Sequence, residues 1–288
     1  MTVTHGFPAD ILPRRAGMLG WPVAHSLSPL IHTTWAAREG IDAGYDPIAV
    51  APDDGAFRGA IERLRNEGYR GVNVTLPHKE RALKFADQAS EEAIAAGAAN
   101  MLTFTASGIA AGNSDIAGFA AAVMETGATP RAALILGAGG AARGVAIALS
   151  RRLGARSIVV ANRTRARAEV VAALAGGAAI DWSARGAALA DIDLLVNTTS
   201  LGMTGEAALD LDLDALPRSA LVADIVYAPL ETPLLAAARA RGHTTIDGLS
   251  MLMHQAAYGY RAWLGATAVV DADLRARLEA ALAARLAR

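Results

Sequence analysis

The sequence contains no cysteine. Disulfides, thiolate nucleophiles and zinc held by thiolates are therefore excluded. It also lacks an excess of charge of either sign, with 27 basic against 28 acidic residues. Nothing electrostatic thus favours nucleic acid or a membrane surface as a partner. No uncharged apolar run reaches the ~18 residues that a membrane-spanning helix needs, and the positive mean hydropathy of +0.28 reflects alanine. The N-terminal MTVTHGFPADILPRRAG lacks a basic start followed by an apolar core, so no secretory signal is expected. No pair of histidines or carboxylates has metal-ligand spacing, and no metal is expected. Internal repeats and low-complexity linkers are missing beyond the alanine bias. These absences together predict a protein of the reducing cytoplasm.

Lysine is nearly absent too. Of 27 lysines and arginines, only Lys79 and Lys84 are lysine. Arginine does not release its proton in a protein, whereas lysine does once its surroundings lower its pKa. Lys79 directly follows a Pro-His turn in NVTLPHKE (residues 73–80), so its identity points to proton transfer; Lys84 sits in an ordinary helical stretch.

What is present suits a compact α/β protein. The 288 residues are 53% hydrophobic and 19% charged, enough for one large domain or two ordinary ones. Short β-rich runs alternate with alanine-rich helical ones, the pattern of layers around a mostly parallel sheet. Strands are expected near 17–20, 45–50, 71–75 and 99–105. Helices are expected near 29–39, 53–67, 79–86 and 91–96. GNSDIAG (112–118) leads into a helix closed by Gly127, and after Pro130 a second βα series begins. Its strands are expected at 133–136, 157–161, 178–181, 193–197 and 220–226, and the last forty residues read as helical. The domain boundary is placed near 115 to 130.

ALILGAGGAARGVAIAL is a buried strand, a glycine turn and a helix. Gly137, Gly139 and Ala142 fit the G-x-G-x-x-G/A fingerprint, in which glycines allow a tight turn and close approach to a pyrophosphate. The following helix N-terminus adds N–H groups and a partial positive charge. An NAD site would place a carboxylate at the end of the next strand. Here VVANRTRAR offers Asn162, Arg163, Thr164 and Arg167, with Arg143 nearby. Arginine forks suit a 2′-phosphate, so NADP is the expected cofactor.

Polar clusters interrupt the first third. GWPVAHSLSP supplies Ser26 and Ser28, whose two-residue spacing puts both hydroxyls on one side of an extended segment. NVTLPHKE supplies Asn73, Thr75 and Lys79, GAAN supplies Asn100, and GNSD supplies Asn113 and Asp115. Hydroxyls, amides, one ammonium and one carboxylate suit a small polyhydroxylated or acidic molecule. Ser28 and Asp115 also fit helix N-caps, Asn73 and Asn100 also fit loop-backbone partners, and His25 and His78 read as loop structure.

Along essentially its whole length from Met18, the chain resembles the shikimate dehydrogenase family. It has that family's GxPxxHSxSP, NVTxPxKE, GAGGAxRG, NRTxxR and DGxxMLxxQAA motifs in order and spacing. The resemblance implies two domains separated by a cleft: an N-terminal α/β substrate domain (1–115 with 249–288) and a Rossmann-type NADP-binding domain (116–248). It implies NADP-dependent reduction of 3-dehydroshikimate to shikimate in aromatic amino-acid synthesis by a monomer or homodimer. By motif, Ser26, Ser28, Thr75, Asn100, Asp115, Tyr227 and Gln255 would hold substrate, the serines taking its carboxylate. Lys79 would carry the proton beside Asp115. Gly137, Ala138, Gly139, Gly140 and Ala141 would take the cofactor phosphates; Asn162, Arg163, Thr164 and Arg167 the 2′-phosphate; Ile225 and Gly248 would lie near the nicotinamide. The family often writes D-N-T-D-G where this chain has Gly112 to Ile116, and threonine where it has Met101. Those departures leave quinate or aminoshikimate as alternative ring acids, and a non-catalytic NADP-dependent regulator as an alternative of another kind.

Overall fold

The structure, a computed structural model, describes residues 14–286. The stretch read for a secretory signal lies almost wholly outside them. Contacts divide the chain into two units. One takes the described residues up to Ser114 with Gln255–Leu278, and the other takes Asp115–His254 with Glu279 onward.

The first unit contains β1 (Arg14–Gly20), α1 (Ser28–Glu39), β2 (Ala43–Ala49), α2 (Asp54–Asn66), β3 (Tyr69–Val74), α3 (Lys79–Phe85), β4 (Gln88–Ala89), α4 (Glu91–Ala96), β5 (Met101–Thr105) and β6 (Gly108–Gly112). The sheet order is β2-β1-β3-β5-β6-β4. It is mixed, because β5 runs antiparallel to both β3 and β6. Its other pairs, β1 with β2, β1 with β3 and β4 with β6, are parallel, in keeping with the mostly parallel pattern expected. Gly108–Gly112 has no charge or turn signal to separate it from a loop, and it becomes a strand by pairing with β5. Helix α2 shows how sequence sets packing. Asp53 caps it by accepting the Ala56 N–H at 2.8 Å, and Phe57, Ala60, Ile61 and Leu64 recur at helical spacing to bury one face. That face joins Leu19, Val72, Val74 and Leu102 in one core.

Helix α5 (Ser114–Glu125) begins at the boundary between the units. The second unit has β7 (Ala132–Leu136), α6 (Gly140–Ile147), β8 (Ser157–Asn162), α7 (Arg165–Leu174), β9 (Ala178–Asp181), β10 (Leu194–Asn197), β11 (Leu221–Asp224), α8 (Pro233–Ala240) and β12 (Thr245–Ile246). All its strand pairs are parallel, in the order β12-β11-β10-β7-β8-β9. The chain winds outward from β7 through β8 and β9, then outward on the other side from β10. The crevice at such a reversal is where this architecture binds dinucleotides. The strand expected over 220–226 stops at Asp224, whose side chain turns the chain by accepting the Val226 N–H. Helix α9 (Gly248–Trp263) starts in the second unit and ends in the first, and α10 (Ala272–Leu286) follows. Among the described residues no helix is long and apolar enough to cross a membrane.

Candidate functional site

In the first unit the candidate groups stand at the ends of β1, β3 and β5–β6. The serine segment is a turn, not the extended stretch that two-residue spacing suggested. Leu27 is helical at the start of α1 (φ −87°, ψ −9°), and the Ser26 hydroxyl oxygen accepts the Ser28 N–H at 3.1 Å. Pro29 has no N–H and sits inside the first turn, so a turn there sacrifices no hydrogen bond. Ser28 is buried as the first residue of α1, and Ser26 is half-buried beside it. Ser28 is the first helical residue, not the cap; the cap position is Leu27, which makes no side-chain cap hydrogen bond.

Behind Ser28 lies a buried polar layer. His32 places Nδ1 2.8 Å from the Ser28 carbonyl and stacks on Tyr45 with ring centres 3.8 Å apart. Burial drives the His32 pKa down to about 4, so the ring is neutral at neutral pH. The bond to the Ser28 carbonyl therefore puts its proton on Nδ1, and buried Nε2 has no hydrogen-bond partner among the described residues. The Tyr45 hydroxyl donates to Asn73 Oδ1 at 2.7 Å and also meets the Ser28 side chain. Asn73 Nδ2 donates to the Asn100 carbonyl at 3.2 Å. Asn100 then binds Ser114 through both ends of its amide, accepting the backbone N–H at 2.7 Å and donating to the hydroxyl at 3.1 Å. Asp115 is next in the chain and is buried.

Lys79 opens α3, and its carbonyl accepts the Ala99 N–H, which ties the lysine turn to GAAN. His78 before it is structural. One ring nitrogen meets the Val50 carbonyl at 2.9 Å, and the other lies 2.7 Å from the Arg81 guanidinium. A guanidinium only donates, so Nδ1 is the acceptor in that contact. The half-buried Thr75 follows the last residue of β3. Gln255 lies on α9 one turn before Gly259. A side chain at Gly259 would come within 3.0 Å of Asn73 Oδ1, so α9 packs closely on the same strand end. Met101 and Gly112 are cross-strand partners. These two of the departures from the family pattern therefore lie opposite each other, beside the Asn100 N–H bond to the Gly112 carbonyl. Ile116 is buried in α5.

In the second unit the glycine turn joins β7 to α6 at the reversal of strand order. Gly137 has φ +103°, and a Cβ there would lie 2.7 Å from Thr198 Oγ1, so only glycine fits. Around Gly139 the same test meets nothing within 4 Å, leaving open space for a ligand to approach the backbone. Ala142 is buried where helix meets strand. Ala138, Gly140 and Ala141 complete the turn and the first residues of α6. Asn162 closes β8 and donates to the Thr164 carbonyl at 3.0 Å, shaping the start of α7. Arg163 and Arg167 are exposed and make no ion pair among the described residues. Arg165 between them is engaged with Asp181 and Glu169. The turn thus fits a pyrophosphate, and the arginines fit a further phosphate. Ile225 and Tyr227 follow β11, and burial pushes the Tyr227 phenol pKa up. A side chain at Gly248 would run into the Ile225 carbonyl. Among the described residues no group of three or more histidines and carboxylates is placed to hold a metal ion.

Two family models cover these halves. The shikimate dehydrogenase substrate binding domain matches residues 18–102, and shikimate / quinate 5-dehydrogenase matches 120–204. A shikimate dehydrogenase (NADP(+)) of Acidiphilium cryptum is 52% identical over 260 residues, 90% of this chain and 93% of the relative. The chain belongs to the shikimate dehydrogenase family. Among solved structures of similar fold is the shikimate 5-dehydrogenase of Thermus thermophilus in complex with NADP(H) and shikimate. It has 37% identity and a TM-score of 0.77, with 86% of this chain and 92% of that one covered. A quinate dehydrogenase from Corynebacterium glutamicum in complex with NAD has 29% identity and a TM-score of 0.80, covering 86% and 93%. Family membership accounts for the paired construction of this shikimate dehydrogenase family member, with polar side chains on one sheet and a glycine turn on the other. Sequence reasoning did not single out Tyr45, His32, Asn197, Asp224 or Thr232. Each lies within an apolar or turn-like run, and only burial together with hydrogen bonds to distant segments or neighbouring turns marks it.

Proposed function

We propose that this chain is an NADP-dependent oxidoreductase that reversibly reduces 3-dehydroshikimate to shikimate, a step of chorismate and aromatic amino-acid biosynthesis. The observation carrying this reading is the half-identity to a shikimate dehydrogenase (NADP(+)) that runs through both units. The substrate domain is assigned to residues 1–115 with 249–288 and the cofactor domain to 116–248. Ser26 and Ser28 take the ring carboxylate; Thr75, Asn100, Asp115, Tyr227 and Gln255 hold the rest of the substrate. Gly137, Ala138, Gly139, Gly140 and Ala141 hold the cofactor phosphates, while Asn162, Arg163, Thr164 and Arg167 hold the 2′-phosphate. Ile225 and Gly248 form the wall near the nicotinamide. The protein works in the cytoplasm as a monomer or homodimer.

Bound NADPH supplies the hydride. Lys79 then gives its proton to the carbonyl oxygen as negative charge develops there, and in the reverse direction it receives the proton. A free lysine, with pKa ~10.4, is a poor base near neutrality. In this arrangement the Asp115 carboxylate orients the Lys79 ammonium for donation. Such general acid–base help is worth on the order of 10²–10⁴ in rate.

NADPH absorbance followed with 3-dehydroshikimate, then with 3-dehydroquinate, then with NADH in place of NADPH, tests the reading. Turnover is expected with the first pair and much weaker turnover with the others. A preference for 3-dehydroquinate would favour the quinate reading, which the quinate dehydrogenase neighbour supports. Tight NADPH binding with no turnover of either acid would point to a regulator.

A further inference from the structure

Asp224 ends β11 with 1% of its surface exposed. Its Oδ1 accepts the Val226 N–H at 3.0 Å and the Asn197 amide at 3.0 Å, and its Oδ2 accepts the Thr232 hydroxyl at 2.7 Å. Each donor comes from a different segment. Asn197 ends β10, and its Oδ1 accepts both the N–H and the hydroxyl of Thr199, at 3.1 and 2.7 Å. Thr198 donates to the Leu136 carbonyl at 2.7 Å, immediately before Gly137. Thr232 also caps α8 by accepting the Leu235 N–H. The segment after Asp224 is held by backbone bonds from Ile225 N–H to Asn197, from Gly248 N–H to Val226, and from Thr204 N–H to Ala228.

A carboxylate here is an expensive way to fill a core. Burial raises its pKa above the ordinary carboxylate value, and its three hydrogen bonds act against that rise. A buried ionisable group adds little net stability compared with an apolar side chain of the same size. It does impose one arrangement, since each donor has a single place to go. Here that arrangement fixes how residues 225–229 leave the sheet, and it links them to the glycine turn through Asn197, Thr198 and Leu136.

We propose that Asp224 is a positioning residue. It aims the Ile225–Tyr227 segment and locks that segment to the dinucleotide turn. The functional part of this inference rests on the reading above, in which Ile225 and Tyr227 face nicotinamide and substrate.

Two measurements on the full chain test it. Amide hydrogen exchange over 225–229 needs no substrate. In Asp224→Asn, exchange there is expected to quicken about tenfold or more while residues 133–136 keep their protection. If Asp224→Asn does not fold, Thr232→Val serves instead, and Thr232→Ser should return exchange to within about threefold of wild type by restoring the hydroxyl donor. Unchanged exchange, or faster exchange throughout the second unit, overturns the inference whatever turnover shows. The second measurement is a double-mutant cycle on shikimate oxidation. Tyr227→Phe should lower kcat/KM by a clearly smaller factor in the Asp224→Asn background than in wild type, because an already misaimed phenol has less to lose. Multiplicative losses overturn the coupling. A wild-type enzyme that does not oxidise shikimate at all would defeat the functional reading and leave the exchange result to decide the positioning role.

Discussion

The polar ends of the two sheets are built in opposite ways. In the first unit nearly every group offered is a side chain: hydroxyls at 26, 28 and 75, an amide at 100 and an ammonium at 79. In the second, the glycine turn offers backbone N–H groups. Side chains have rotamers and must be aimed, and the first unit backs them with a neutral layer of His32, Tyr45 and Asn73. Backbone groups are aimed by φ and ψ, so the second unit needs glycine at 137 and a rigid loop beside it. The contrast extends to the supports. Neutral amides and hydroxyls carry the first, whereas a buried carboxylate, Asp224, supports the segment after β11 in the second.

Four experiments would break or sharpen that contrast. The largest effect is expected for Lys79→Arg, which keeps the charge and withholds the proton. kcat should fall on the order of 10²–10⁴ with KM for shikimate changed only a few-fold, and near-normal steady-state turnover would remove Lys79 from the chemistry.

The neutral layer should show itself in acid. The folded pKa of His32 is about 4 against 6.5 for the free ring. The unfolded chain therefore takes up a proton that the folded one refuses. Stability is intact above pH 6.5 and is lost as pH falls toward about 4, by up to about 3 kcal/mol from this group. His32→Phe should remove that part of the slope in urea denaturation between pH 7.5 and 4.5; parallel curves for the two proteins would mean that the ring is not held neutral.

On the cofactor side, Arg163→Asp should shift the NADP/NAD ratio of kcat/KM by roughly tenfold to a hundredfold, the worth of one to two charge-assisted hydrogen bonds. An unchanged ratio would displace the 2′-phosphate site from this turn. Smallest is Tyr45→Phe, which leaves Asn73 Oδ1 without its donor. A stability loss of about 1–2 kcal/mol is expected by denaturation, with a raised KM for shikimate. No change in either would show that the layer fills space without aiming anything.

Much of this was legible in the residues. The glycine turn could be read because its constraint is local: a positive φ at 137 and a bare backbone at 139 demand glycine whatever surrounds them. Lys79 stood out through rarity, and the two arginines through the absence of a carboxylate where an NAD site would have one. The turn at Ser26–Ser28 was misjudged because two-residue spacing suits an extended segment equally well, and only the helix begun at Ser28 decided between them. Strand β6 was missed because Gly108–Gly112 has no periodicity of its own and becomes a strand through its register with β5.

By itself the sequence determined the chemistry on offer: no thiol, one uncommon lysine, a phosphate-binding turn and a family signature, all of them properties of residue type and short spacing. Only the tertiary structure decided which polar residues support and which are presented. Tyr45, Asn73, Asn197 and Asp224 acquire their roles from partners 27 or 28 positions away. A buried hydrogen bond between distant segments leaves no periodic trace, because what fixes it is the burial of both partners together.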